Sequence, residues 1–285
     1  MIIDQSFVAR VVVPRQADSH KGSYGRVLLV GGLYPYGGAI FGMVALACVH
    51  SGAGLVTVAT DRETIAALHS HLPEAMAIAV DDEELLLSQL GMADLILIGP
   101  GLSENSRAAR LFELVLAHVA DHQVLVIDGS ALRLLAKRAA DVKQLRCPLV
   151  LTPHQKEWEA LSGLAIDQQY DAANQAALKH FPRATILVAK SSATKIYHGN
   201  QIYRLRVGGP YQATGGMGDT LAGMIAGIAV QFPESSLVAK VACATYLHSA
   251  IADELAKTAY VVLPTAISYE LPRWLKAIST GQKLG

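Results

Sequence analysis

Short β-branched and aliphatic runs recur along the chain at residues 26–30, 55–59, 95–98, 124–127, 149–151 and 186–189, separated by longer stretches of helical periodicity. Runs this continuously apolar are expected of strands buried on both faces, and their alternation with helices predicts βαβ units in a parallel sheet. The residues that follow the runs are Gly31-Gly32, Gly99-Pro100-Gly101, Asp128, Thr152-Pro153 and Lys190. Ligands collect at strand C-termini in such sheets, so these positions predict one ligand-binding rim. After Lys190 the rhythm changes: alternating runs on either side of His198-Gly199-Asn200 predict a hairpin and an antiparallel finish to the sheet. Small and apolar residues at helical spacing then predict two buried helices, over 218–231 and from 234 to about 256. The expected fold is α/β, with a mostly parallel central sheet and helices on both faces, in a single domain spanning residues 1–285.

Composition narrows this picture. Hydrophobic residues make up 52% of the 285-residue chain and charged residues 17%, with 24 glycines, as a large α/β core requires. Lys plus Arg and Asp plus Glu both number 24, so no global field favours nucleic acid or an anionic membrane, and neither is an expected partner. Any anionic ligand must therefore be held by local geometry. Cys48, Cys147 and Cys243 are far apart and lack CxxC spacing, which argues against disulfide and zinc frameworks and fits a reducing cytoplasm. The segment MIIDQSFVARVVVPRQ does not read as a signal peptide, and no stretch reads as a membrane span.

The chemistry concentrates in a few segments. Ala213-Thr214-Gly215-Gly216-Met217-Gly218-Asp219-Thr220 stands directly before an apolar helix. Gly215, Gly216 and Gly218 let backbone N–H groups turn inward, and the helix N-terminus adds partial positive charge, which together make a phosphate cradle. Asp219 then has two readings that spacing does not separate: a residue capping a glycine-rich turn, or a base taking the proton of a hydroxyl poised against the phosphate. No GxxxxGK[ST] loop occurs, and Gly52-Ala53-Gly54 lacks the third glycine and strand-before-helix order of a dinucleotide fingerprint. Lys21-Gly22-Ser23-Tyr24-Gly25 and the loop from Gly31 to Ala39 both permit close backbone approach by a ligand, and Tyr34 and Tyr36 can stack on a flat ring. Tight turns alone also explain these glycines.

In Thr152-Pro153-His154-Gln155-Lys156-Glu157, His154 and Glu157 are one helical turn apart. His154 can hydrogen-bond a polar substrate and Glu157 can organise a hydrated Mg²⁺; the plainer account makes Thr152 a helix cap and leaves His154 solvated. Lys190-Ser191-Ser192-Ala193-Thr194 offers an ammonium and hydroxyls to a phosphate or sugar. His69, His71, His118, His122 and His248 show no metal spacing and read as structural or surface residues. Asp128, at a strand end, is a further acid of interest.

Taken in order, KGSYGRVLLVGG, YGGA, SGAGLVTVAT, IGPGL, VIDGSAL, LTPHQKE and ATGGMGDTLAG resemble the ADP- or ATP-dependent NAD(P)H-hydrate dehydratases, a family of the ribokinase-like superfold. The resemblance runs from about Lys21 to Ala256. It implies dehydration of (6S)-NADHX and (6S)-NADPHX to NADH and NADPH, driven by ADP or ATP, with release of AMP or ADP and phosphate. By resemblance Ala39, Gly101, His154 and Asp219 contact the hydrated nicotinamide nucleotide, while Lys190, Ser191, Ser192, Ala193, Thr194 and Gly218 contact the adenine nucleotide. It further implies Mg²⁺ and a homo-oligomer often described as a tetramer. Many relatives carry an N-terminal epimerase domain, which is not expected here.

The chain departs from the family pattern at Ser103, where glycine is usual, at Ser191, where KG is usual, and at Met217, where serine is common. Two other classes fit the phosphate cradle: a ribokinase-like kinase of a vitamin precursor, and a nucleotide-binding protein without catalysis.

Overall fold

The computed structural model describes residues 1–138 and 142–282. Among them nine strands form one sheet: β1 Arg26–Val30, β2 Leu55–Thr60, β3 Met76–Ala79, β4 Leu95–Ile98, β5 Val124–Ile127, β6 Leu149–Leu151, β7 Ile186–Ala189, β8 Lys195–His198 and β9 Gln201–Arg204. Their order is β3-β2-β1-β4-β5-β6-β7-β8-β9. Pairing is parallel from β3 across to β7 and antiparallel from β7 through β9. The expected change of rhythm after Lys190 is thus the hairpin β8–β9, closed by Gly199 and Asn200 between the paired His198 and Gln201.

Successive strand residues point to opposite faces, and the core divides accordingly. Val27, Leu29, Leu95, Leu97, Val126 and Val150 pack with the helices Met217–Ala229, Leu237–Leu255 and Pro264–Ser279 on one face. Leu28, Val30, Ile96, Ile98, Ile127 and Leu151 pack on the other with Glu83–Met92, Ser106–His118, Ser130–Ala136 and Gln155–Ser162. Both faces are covered, so a strand such as Leu95–Ile98 is apolar at every position. No described helix is long and apolar enough to cross a membrane.

Register aligns Val30 with Ile98, Ile98 with Ile127, and Ile127 with Leu151, so the loops that follow emerge on one rim, as expected from the strand ends. Lys21–Tyr24 precedes β1 and therefore lies at the opposite end of the sheet. A Cβ at Gly25 would collide with the Val230 side chain and one at Gly54 with the Lys21 carbonyl oxygen, so close packing accounts for glycine at both positions, in line with the plainer reading of these glycines as turn residues.

Three elements depart from expectation. The short edge strand β3 and the helix Pro264–Ser279 were not legible as separate elements, and the helix expected near Ile40 starts earlier, at Gly37, and passes through a π-helical stretch over Ile40–Ala45. The two apolar helices span Met217–Ala229 and Leu237–Leu255, slightly shorter than the pattern implied, because Ser236 caps the second and Val230 ends the first.

The Met217–Ala229 helix is buried continuously from Thr220 to Ala229. A Cβ on Gly223 would meet the Val44 carbonyl oxygen at 2.3 Å, and one on Gly227 the Cys48 carbonyl oxygen at 2.6 Å. These two glycines set the close approach of this helix to the segment that follows β1. Overpacking a fitted contact usually costs about 1–3 kcal/mol. Gly223→Ala is therefore expected to lower unfolding stability by about that amount, measured by urea denaturation, with an unchanged Cm ruling out the close contact as a constraint.

Candidate functional site

Three adjacent strand ends supply the centre of the rim: Asp128 after β5, Thr152 after β6 and Lys190 after β7. Asp128 Oδ1 accepts a hydrogen bond from Lys190 Nζ at 2.8 Å and another from Thr152 Oγ1 at 2.6 Å. The Asp128 side chain is 2% exposed and that of Lys190 20%, so the pair is largely withdrawn from water. Burial alone would pull the Lys190 ammonium down, but the Asp128 carboxylate outweighs it and holds Lys190 above its ordinary value.

The glycine-rich cradle meets this ammonium. Gly216 has φ +90°, a left-handed conformation that turns the chain into the Met217–Ala229 helix, and no side chain caps that helix start. A Cβ on Gly218 would lie 3.1 Å from Lys190 Nζ. Lys190 therefore stands over the first turn of a helix whose N-terminus is itself positive, and two sources of positive potential converge on one spot.

Asp219 is in that first turn, half-buried, and its carboxylate makes no capping bond. Burial, reinforced by Asp128 and Glu157 and opposed by Lys190, pushes its pKa up to about 6. The capping alternative is thus not the one realised. Asp219 is instead a carboxylate that changes protonation near neutrality beside a positively charged cradle.

His154 caps the helix Gln155–Ser162, so the expectation that Thr152 would do so is corrected; the Thr152 hydroxyl is turned to Asp128. His154 Nδ1 accepts from the Lys156 and Glu157 amides at 3.1 and 3.2 Å, while Glu157 Oε2 accepts from the His154 amide at 2.8 Å. With Nδ1 accepting, the neutral ring carries its proton on Nε2. Burial, with Lys190 and Arg133, pulls the His154 pKa below its usual value and keeps the ring neutral. Glu157 is buried, which raises its pKa, and its Oε1 lies 3.4 Å from His154 Nε2. The Lys190 amide donates to the Pro153 carbonyl at 2.9 Å and brings these residues alongside Lys190.

Further along the rim the loops after β1 and β4 are pressed together. Leu33 N donates to the Gly101 carbonyl at 2.8 Å, and Gly101, at φ +62°, has no room for a Cβ between the Tyr36 carbonyl oxygen and Ala39. Ala39 and Gly101 are thus neighbours. Tyr34 and Tyr36 project from the same loop into solvent. Buried Asp61 fixes it by accepting from the Tyr34 amide at 2.7 Å and pairing with Arg107 at 2.6 Å, a tie absent from the sequence reading because its members are distant in the chain.

The two serine departures differ in consequence. Ser103 keeps a left-handed φ of +72° despite its side chain, whereas Ser191 is not in that region. Ser191, Ser192 and Ala193 are exposed in a turn knit by Thr194, whose Oγ1 donates to the Ser191 carbonyl at 3.0 Å. A cleft of about 150 Å³ beside it is lined by His154, Lys190, Ser191, Lys195 and Tyr197. Among the described residues no group of three His, Cys, Asp or Glu side chains could hold a metal.

A family model described as NAD(P)H-hydrate dehydratase matches residues 27–273. A Streptococcus thermophilus protein named ADP-dependent (S)-NAD(P)H-hydrate dehydratase is 60% identical, over 98% of this chain and 100% of its own length. Among solved structures, a Streptococcus mutans protein described as hypothetical superposes with TM-score 0.94 at 57% identity, covering 98% of this chain and 100% of its own. The ADP/ATP-dependent NAD(P)H-hydrate dehydratase of Bacillus subtilis, co-crystallised with ATP/Mg²⁺, gives 0.83 at 27% identity, covering 96% and 97%.

The raised Asp219 pKa also has a consequence for stability. A carboxyl that binds its proton more tightly when folded stabilises the fold while protonated and penalises it once ionised, so stability is lost as pH rises from about 4 to about 6. Asp219→Asn is expected to be more stable than the parent at pH 7.5 by about 1–3 kcal/mol and equal to it below pH 4, measured by denaturant unfolding at both pH values. Equal stability at pH 7.5 would mean that the folded protein does not disfavour the ionised carboxylate.

Proposed function

The chain belongs to the NAD(P)H-hydrate dehydratase family, and we propose that it uses ADP to dehydrate (6S)-NADHX and (6S)-NADPHX, regenerating NADH and NADPH and releasing AMP and phosphate. ATP in the same role would release ADP. The observation that carries this reading is the convergence of the Lys190 ammonium and the helix N-terminus at Gly218, one residue from the half-buried Asp219.

Hydroxide leaves carbon poorly and phosphate leaves well, so a phosphoryl donor makes the elimination feasible. Asp219 accepts the proton of the C6 hydroxyl as that oxygen attacks the terminal phosphorus of ADP and the bond to AMP breaks. The backbone of Gly215, Gly216 and Gly218 and the Lys190 ammonium stabilise charge on the moving phosphoryl group. The ring nitrogen's lone pair then helps expel phosphate from C6, and loss of a proton from C5 restores the ring double bond. Mg²⁺, held mainly by the phosphates with Glu157 acting through water, would neutralise phosphate charge. Glu157 suits only such an indirect role, since its carboxylate oxygens face His154.

In this reading Ala39, Gly101 and neutral His154 contact the nicotinamide nucleotide. Ser191, Ser192, Ala193 and Thr194 flank the adenine nucleotide. Residues 1–285 act as one catalytic domain in a homo-oligomer, and the three buried free cysteines suit a reducing cytoplasm.

Purified protein given NADHX, ADP and Mg²⁺ should restore absorbance at the NADH band and release inorganic phosphate. A stable phosphoester without NADH would assign a kinase instead. Because the base must be ionised, kcat/KM should fall as pH drops through about 6. Asp219→Asn should keep nucleotide affinity and lose about 10²–10⁴-fold in turnover. Gly218→Val, with its branched side chain aimed at Lys190, should weaken ADP binding in a folded protein, and calorimetric titration showing unchanged affinity would remove Gly218 from the nucleotide site.

A further inference from the structure

The Lys190 ammonium stands over a helix N-terminus, where its charge is unfavourable until an anion arrives. A four-carbon side chain at a loop edge has many alternatives, among them the carboxylates of Asp219 and Glu157, which lie close enough to act on it. It is kept from them by Asp128. That carboxylate is buried below the rim; its one charged hydrogen-bond partner there is Lys190, at 2.8 Å, and its charge also bears on Asp219. Thr152 in turn fixes Asp128, donating at 2.6 Å to the same oxygen that receives Lys190. Register sets Asp128 beside Thr152, and Lys190, bridged to His154 two residues further along, reaches back to them from the next strand.

We propose that Asp128 is a positioning residue, oriented by Thr152, which holds the Lys190 ammonium over Gly218 where the transferred phosphoryl group develops charge. This rests on the phosphoryl-transfer reading of the site. Buried Asp128 is bonded to Lys190 and Thr152, so its removal acts on turnover chiefly through misplacement of Lys190. Nucleotide affinity is nearly spared, because the loss of a well-placed cation is countered by the loss of a negative charge nearby.

The test is a double-mutant cycle. Asp128→Asn should lower kcat about 10–100-fold while KM for ADP changes by less than about threefold, as misplacement of a group in the transition state predicts. In a Lys190→Ala background the same change should cost at least about fivefold less than in the parent, because the positioning part of its effect has nothing left to act on and only its influence on the Asp219 charge remains. Thr152→Val, which keeps the buried charge pair, should give a smaller loss that vanishes in the Lys190→Ala background, and it carries the cycle by itself if Asp128→Asn does not fold. Additive losses, or an unchanged kcat in folded Asp128→Asn, would overturn the proposal.

A second readout needs no turnover. Acetic anhydride labelling of Lys190 at pH 8, read by mass spectrometry against exposed Lys257, should rise severalfold in Asp128→Asn, since the freed amine gives up its proton more readily and is no longer held. Unchanged labelling would contradict the clamp. A parent protein that labels as expected yet regenerates no NADH would overturn the functional reading and leave the clamp standing.

Discussion

A lysine ammonium held against the positive end of a helix is an arrangement that water and the rest of the protein both oppose. Lys190 occupies that position because Asp128 anchors it from below, and Asp128 tolerates burial because Lys190 and Thr152 satisfy it. Each group is unfavourable without the others, since a buried charge left unpaired is strongly destabilising. Above Gly218 the positive potential of the Lys190 side chain meets that of the helix N-terminus. In the proposed reaction this is where the transferred phosphate lies.

The fold exists around that point in a definite sense. Only a parallel sheet brings the ends of β5, β6 and β7 side by side with the same polarity, and only a helix packed tightly on the sheet brings its N-terminus to them. Gly223 and Gly227 allow that tight packing by removing side chains where backbone meets backbone. Gly216 turns the chain into the helix with Met43 lying against it, so the π-helical stretch after β1 and the cradle are built against each other. The loops after β1 and β4, with Ala39 and Gly101, are thereby joined to the same rim.

Much of this was legible in the chain. Six of the nine strands declared themselves as predominantly apolar runs, and the Gly, Asp, Thr or Lys that follows most of them named the rim. The short edge strand Met76–Ala79 was hidden because four residues carry too little periodicity, and Pro264–Ser279 because Pro272 lies inside its pattern. Asp219, Lys190 and His154 could be picked out by position, but their relations could not. Asp128 and Lys190 are 62 residues apart, and Asp61 and Arg107 are likewise remote in sequence; nothing local predicts that these pairs meet. The capping role of His154 was missed for a different reason. A histidine is an uncommon cap, and its role appears only when Nδ1 is seen accepting two amides.

The family likeness and the physics meet most closely at Asp219. A serine or asparagine there would be easier to bury, yet the chain keeps a carboxylate where burial and two neighbouring acids resist its ionisation. In the proposed reaction the same resistance makes it a better base: a carboxylate near 4 holds a proton too weakly to draw it from an alcohol, and one near 6 gains basicity while remaining mostly ionised at neutral pH. Lys190 limits the rise, so the clamp that prepares the phosphate site also keeps the base from being neutralised outright. Charge placement in this rim is therefore a single coupled problem. Asp128 sets Lys190, Lys190 tempers Asp219, and Asp128 in turn raises Asp219, so no one of the three charges can be changed without moving the other two.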